Sequence, residues 1–575
     1  MRSPRSDRST DANLALEPAG TRGVDGGSLA GAAYRSSSLR ELDPAALFWL
    51  IPLAIAAVYL IVFVAQLPRN LTELAWNSDY SSTFTIPETV ARLGSEGATV
   101  ITSRGDWVLL WFGLLTARLP LHRELWSIAP TILLIATALI VGWSVMQVSD
   151  RRAGALAVLL ALIVSPLALA FLLAAGGHNT VYPCTALAGA YLVWLARADG
   201  RRRSLALCVP VLAGVVLGVC VASDLLNVAT ALAPLALTGA LAGVRRERRS
   251  RIVSISALTT AALAVPMAKA TTAIMHSAGF TTIETPAKIV PLSALGERAQ
   301  LLFRGLKALF NGYLASSKGV GPLHTELGIA SIAVMLAALL TLIAMGARYT
   351  VTFLVSGLRR GTSGAPALAR SLHVIYWAAS AASACGAFWL AAETGGGTNL
   401  HESYYATTIF SVAAVVPLAL TMGSLARRIV LVGASVLFAG SLVGMTGNYL
   451  NIASWIAQKA PTVTRLAQAN HVSYGYGGYG TAASLTWNTH GRVTVRPVLE
   501  CENPEGANIC PFYEARVPSW YLPHRRHTFL LVDREEAFLS ELPKGLGRPL
   551  AAYTFGAMSM YIYPYDIAAR LGPAP

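Results

Sequence analysis

Ala46-Leu-Phe-Trp-Leu-Ile-Pro-Leu-Ala-Ile-Ala-Ala-Val-Tyr-Leu-Ile-Val-Phe-Val-Ala-Gln66 contains no charged side chain. At about 1.5 Å per helical residue, such a run matches the ~30 Å hydrocarbon core of a bilayer. Ten further apolar runs follow, near 125–147, 153–174, 182–196, 204–222, 225–243, 252–275, 326–346, 373–393, 405–423 and 429–446. The rest of the 575-residue chain fits this pattern, being 54% hydrophobic and only 13% charged. The charged share is about half that of an average soluble domain. The expected fold class is a polytopic α-helical membrane protein of about 11 transmembrane helices. A soluble enzyme, a secreted disulfide scaffold and a disordered regulator are excluded.

The net charge of +15 would suit a nucleic-acid binder, but the charges sit between apolar runs. Arg151–Arg152, Arg197 with Arg201–Arg203, the Arg245–Arg251 cluster, Arg348 with Arg359, Arg360 and Arg370, and Arg427–Arg428 occupy alternate connections. The short connections 175–181, 223–224 and 394–404 carry no Lys or Arg. By the positive-inside rule the basic connections are cytoplasmic, so no nucleic-acid partner is expected. The polar segment 1–45 reads as a disordered cytoplasmic tail, and 46–446 as the transmembrane domain with outer loops 67–124 and 276–325. An odd number of spans places 447–575 outside the cytoplasm. Its 11 basic and 9 acidic residues, with short runs such as Arg492-Val-Thr-Val-Arg-Pro-Val498 and Phe529-Leu-Leu-Val532, predict a small folded α/β domain. Cys501 and Cys510 in that domain have a spacing that favours a disulfide outside the cytoplasm. Cys184, Cys208, Cys220 and Cys385 lie in apolar runs and read as small buried hydrophobes.

After the first span come Trp76-Asn-Ser-Asp79-Tyr80 and then Ile86-Pro-Glu-Thr-Val-Ala-Arg-Leu93. This pattern would hold a carboxylate at the membrane surface beside an amphipathic surface helix. The plainer role for Asp79 is to cap that helix. Asp106–Leu115, with Trp107 and Trp111, reads as an interfacial helix or a re-entrant span over 107–118. His178-Asn179 and His401-Glu402-Ser-Tyr404 lie in unusually polar outer connections, as solvated loops or as sugar and phosphate contacts. Asp224 reads as a turn residue. No Walker loop, His-Glu-x-x-His motif, nucleophile elbow or metal-ligand set is present.

The order of span, short outer stretch with an Asp, surface helix and Pro-containing entry to the second span resembles the GT-C superfamily of membrane glycosyltransferases. The soluble C-terminal segment is similar to the aminoarabinose-transferase and protein-mannosyltransferase branch, through Val472-Ser-Tyr-Gly-Tyr-Gly-Gly-Tyr-Gly-Thr-Ala-Ala-Ser-Leu-Thr-Trp487 and Gly491-Arg-Val-Thr-Val-Arg-Pro-Val498. The resemblance implies an enzyme that takes a sugar from a polyprenyl-phosphate donor and passes it to an envelope glycan, lipid or protein at the outer face of a bacterial inner membrane. It implies Asp79 as general base, where the family often shows paired acids and this chain has Asn77-Ser-Asp79. Cations at the outer rim would bind the donor phosphate: Lys269, Arg304 and Lys307 are the candidates, with Lys288, Arg298 and Lys318 nearby. Arg304 and Lys307 share a helix face, where they would otherwise snorkel to lipid headgroups. In the family, the position of His401-Glu402-Ser-Tyr404 often carries an Arg-Tyr pair. The resemblance allows a divalent metal as cofactor without supplying its ligands. The alternative readings are a transporter or flippase of lipid-linked saccharides, and an O-antigen-type polymer ligase.

Overall fold

A computed structural model describes residues 44–73, 78–100, 106–174, 178–198, 205–282, 289–316, 321–358, 364–391, 402–446, 454–503, 506–523 and 525–574. The expected tail lies outside the described residues up to position 43, as do Lys288, Lys318 and His401. Every one of the eleven apolar runs is helical. The chain opens with α1 (Pro44–Glu73), α2 (Ser78–Leu93), strand β1 (Ala98–Val100) and α3 (Asp106–Thr116). It continues through α4 (His122–Val148), α5 (Arg151–Leu162), α6 (Pro166–Leu173), α7 (Val181–Arg197), α8 (Leu205–Ser223), α9 (Ala233–Val244) and α10 (Arg248–Ser277). Strand β2 (Phe280–Thr282) and α11 (Leu295–Leu309) precede α12 (Pro322–Leu358), α13 (Ala365–Leu390), α14 (Thr407–Val415) and α15 (Ser424–Thr446).

Among the described residues, α1, α4, α10, α12 and α15 are individually long and apolar enough to cross a membrane. Helices α5 and α6 make a sixth if they are one span bent by 83°. The sequence encodes that break. Ser165 Oγ accepts the Ala168 N–H at 3.0 Å, and Pro166 opens α6, where its missing N–H leaves no partner wanting. Other runs are shortened similarly: α14 tightens at Pro417 into a 3₁₀ segment, Val416–Thr421, and α9 is entered through a π-helical stretch, Val228–Leu232. At 11 residues, α3 is too short to span a bilayer. Small residues let the helices approach closely. A Cβ at Gly218 of α8 would lie 2.8 Å from the Ala264 carbonyl oxygen of α10.

The C-terminal part is α/β. After α16 (Ser454–Ala469) come β3 (Tyr474–Gly478), α17 (Tyr479–Asn488), β4 (Thr494–Glu500), β5 (Ile509–Pro511), β6 (Thr528–Asp533), β7 (Ala551–Phe555) and β8 (Met558–Tyr563). They form one mixed sheet of order β5-β4-β3-β6-β8-β7. Strand β3 is central and parallel to β4 and β6, and the other pairings are antiparallel. A disulfide joins Cys501 to Cys510 and tethers the turn before β5. Residues 48–575 form one compact unit, so this sheet packs on the helices rather than hanging from a linker.

Candidate active site

Helix α2 is built to be wedged. Its Ile86 and Val90 join Trp107 and Leu110 of α3, Phe280 of β2, and Phe512, Val517 and Trp520 of the C-terminal part in one apolar cluster. On another side Phe84 is fully buried, with its ring edge-on to Trp487 at 4.6 Å and to Trp126 of α4 at 5.6 Å. Polar contacts set the register: Ser78 Oγ accepts the Ala483 N–H at 2.9 Å, and Trp520 Nε1 donates to Thr89 Oγ1 at 2.9 Å. Strand β1 pairs in parallel with β2, and Thr99 also exchanges two backbone hydrogen bonds with Arg516. Three segments far apart in sequence are thereby sewn together at one end of the bundle. Asp79 is the second residue of α2, in the first turn, where a negative charge is favoured by the helix dipole.

The two polar connections singled out in the sequence meet. His178 Nδ1 lies 2.5 Å from Asp224 Oδ2, with both side chains buried, and Asp224 Oδ1 accepts the Leu226 N–H at 2.9 Å. The Tyr404 ring lies 4.9 Å from the His178 ring, and Tyr182 Oη donates to the Ser403 carbonyl at 3.4 Å. His178 is held at φ 64°, an uncommon conformation for a residue other than glycine and one that clusters at functional sites. The contact holds the imidazole ring in one orientation against the Asp224 carboxyl group. Asn179 serves the fold, donating through Nδ2 to the Leu172 carbonyl at 2.9 Å. The pair reaches α2 through α3, because the Val108 N–H donates to Ser223 Oγ at 3.2 Å, next to Asp224.

The expected cations are more scattered. Lys269 on α10 and Arg304 on α11 are exposed, and Lys307 lies over the Phe303 ring at 5.3 Å. Among the described residues, no hydrogen bond or ion pair joins them to the His178 pair. Arg298 is used inside the fold, where it donates to the Phe388 and Ala391 carbonyls. Glu402 begins a 3₁₀ turn that ends at Tyr404. Among the described residues, no three His, Cys, Asp or Glu side chains gather closely enough to hold a metal ion, so no step is routed through one.

Two features escaped the sequence reading. The first is Glu536, which fills the space beside the glycine-rich Tyr474–Gly480 segment. Glu536 Oε1 accepts the Gly480 N–H at 2.5 Å and Oε2 accepts Thr481 Oγ1 at 3.1 Å, capping α17. A Cβ at Gly478 would lie 2.3 Å from that carboxylate. Burial pushes the Glu536 carboxyl up from 4.5 to about 7, against the two hydrogen bonds that favour its charged form. The second feature is a cavity of about 770 Å³ between α2, the start of α4 and the C-terminal sheet, lined by Arg92, Arg123, Arg496 and Arg525, with Glu88 as its one carboxylate among the described residues. The arginines come from four elements, so no local pattern marks them.

No protein-family model matches the sequence, and no curated protein does. Among solved structures the chain is similar to ArnT from Cupriavidus metallidurans in the apo state. The identity is 13% and the TM-score 0.41, over 92% of this chain and 100% of that one. Similarity at that level carries no argument about activity.

Proposed function

We propose that this chain is a membrane glycosyltransferase that moves a sugar from a polyprenyl-phosphate donor to a cell-envelope acceptor, with Asp79 as general base. In this reading it is a multi-pass protein of about 11 spans in a bacterial inner membrane, with its N-terminus cytoplasmic and 447–575 outside. The observation that supports the reading is the wedging of α2 between bundle and sheet, with Ser78, the residue before Asp79, held by the Ala483 N–H. The acceptor hydroxyl oxygen attacks the anomeric carbon, its proton passes to the Asp79 carboxylate, and the C–O bond to the donor phosphate breaks. The lipid phosphate leaves as an anion that needs no protonation, so one base suffices. Purified protein is mixed with labelled polyprenyl-phosphate sugars and envelope extract, alongside Asp79→Asn. Transfer by the variant is expected to fall by about 10²–10⁴-fold. Equal transfer by the variant overturns the role of Asp79, and no transfer by either protein overturns the activity.

One observation favours a second reading, a saccharide-lipid transporter. The buried His178–Asp224 pair is the kind of ionisable pair that marks proton or substrate pathways inside membrane proteins. Scrambling of lipid-linked saccharide in proteoliposomes that is lost in Asp224→Asn and unchanged in Asp79→Asn would select it.

A further inference from the structure

The cavity beside α2 holds more positive charge than its walls neutralise. Arg92 pairs with Glu88 at 3.2 Å, and Arg123 Nη1 donates to the Trp487 carbonyl at 3.2 Å. The other two arginines have aromatic partners: the Arg496 guanidinium lies 4.0 Å from the Trp520 ring centre, and that of Arg525 lies 3.3 Å from the Tyr474 ring centre. Neither forms an ion pair among the described residues. Arg496 Nε, Arg525 Nη1 and Ser519 Oγ are buried polar atoms with no hydrogen-bond partner in the described structure, and all three residues line the cavity. Both arginines are half-buried, but these donor atoms are shielded from solvent, and buried donors are almost always satisfied. Ring stacking leaves the N–H groups without an acceptor.

We infer that this cavity is an oxyanion site whose ligand carries a phosphate. Guanidinium forks bind phosphate oxygens in pairs. A carboxylate offers two oxygens and one charge, whereas four arginines against one glutamate match a group with several oxygens and at least two charges. The volume of about 770 Å³ holds such a group together with part of what bears it. The site is built from residues other than those that the Asp79 reading uses. Its phosphate comes either from a soluble molecule or from a lipid headgroup.

The test uses the full-length detergent-solubilised protein. Titration calorimetry with pyrophosphate probes the soluble source, and native mass spectrometry with phosphatidic acid against phosphatidylcholine probes the headgroup. Binding in either arm, weakened at least tenfold in Arg496→Gln and Arg525→Gln, supports the site, and the arm that binds identifies the source. Arg92→Gln, on the exposed face of α2, gives the reading if the other two variants do not fold, with a loss of about threefold or more expected. Absence of binding in both arms, or binding by folded variants as tight as wild type, overturns the proposal.

Discussion

The two charged places at this end of the molecule are built on opposite plans. His178 and Asp224 come from connections 46 residues apart and close on each other, each meeting the other's need and leaving one imidazole nitrogen for use. The arginine cavity gathers cations from α2, α4, the sheet and the loop before β6, and leaves their donors open. A closed pair positions a group. An open cluster waits for a counter-ion. The difference separates residues that shape a site from residues that fill it, which burial alone would not have done.

The strongest way to break this contrast is Asp224→Asn. It leaves His178 without its carboxylate, and loss of one partner of a buried pair costs roughly 3–4 kcal/mol. Denaturation in detergent should show that loss, and a double-mutant cycle with His178→Asn should return a coupling above ~1 kcal/mol. Additive single effects would mean the pair is not closed.

Glu536 sharpens the contrast with a carboxylate that is neither paired nor open. Its folded pKa of about 7 stands above the ordinary 4.5, so the folded state holds a proton that the unfolded chain releases. Stability is therefore greatest below the unfolded value, falls as pH rises from about 4.5 to 7, and is level above that. The whole fall is about 3–4 kcal/mol. Glu536→Gln should flatten the slope, read by denaturation at a series of pH values.

The smallest expected effect is at Glu88. Its exposed i,i+4 pair with Arg92 contributes no more than ~0.5 kcal/mol, so Glu88→Gln should leave the melting transition almost unmoved. The same change removes the one carboxylate that lines the cavity among the described residues, and pyrophosphate binding should strengthen severalfold. A change in stability without a change in binding would reverse the assignment of the two regions.

Much of the fold was legible because apolar length is a local property. All eleven runs became helices, and the strands over Thr494–Glu500 and Thr528–Asp533 stand where β-branched and apolar alternation pointed. The breaks that leave α5, α6, α9 and α14 short were less legible, because the same prolines are tolerated inside α1 and α4. The site was half legible. The two polar connections stood out for their composition, but Asp224 read as a turn residue because nothing local announces a partner at His178. Arg496 and Arg525 looked like ordinary surface charge in a tail of mixed sign. The glycines of Tyr474–Gly480 stood out in the sequence, but nothing local shows that Glu536 takes the space beside them.

The sewing of β1 to β2 and Arg516 also orders the molecule in time. Thr89 finds its partner Trp520 431 residues later, and Ser78 meets Ala483 405 residues later. At translation rates of about 5–20 residues per second, the first of these segments is made roughly 20–90 seconds before the last. The helices can be laid down one after another, but the contacts that set α2 form only once Ala483 and Trp520 have been made. A chain shortened before Ala483 and Trp520 therefore carries the helices without the contacts that set α2.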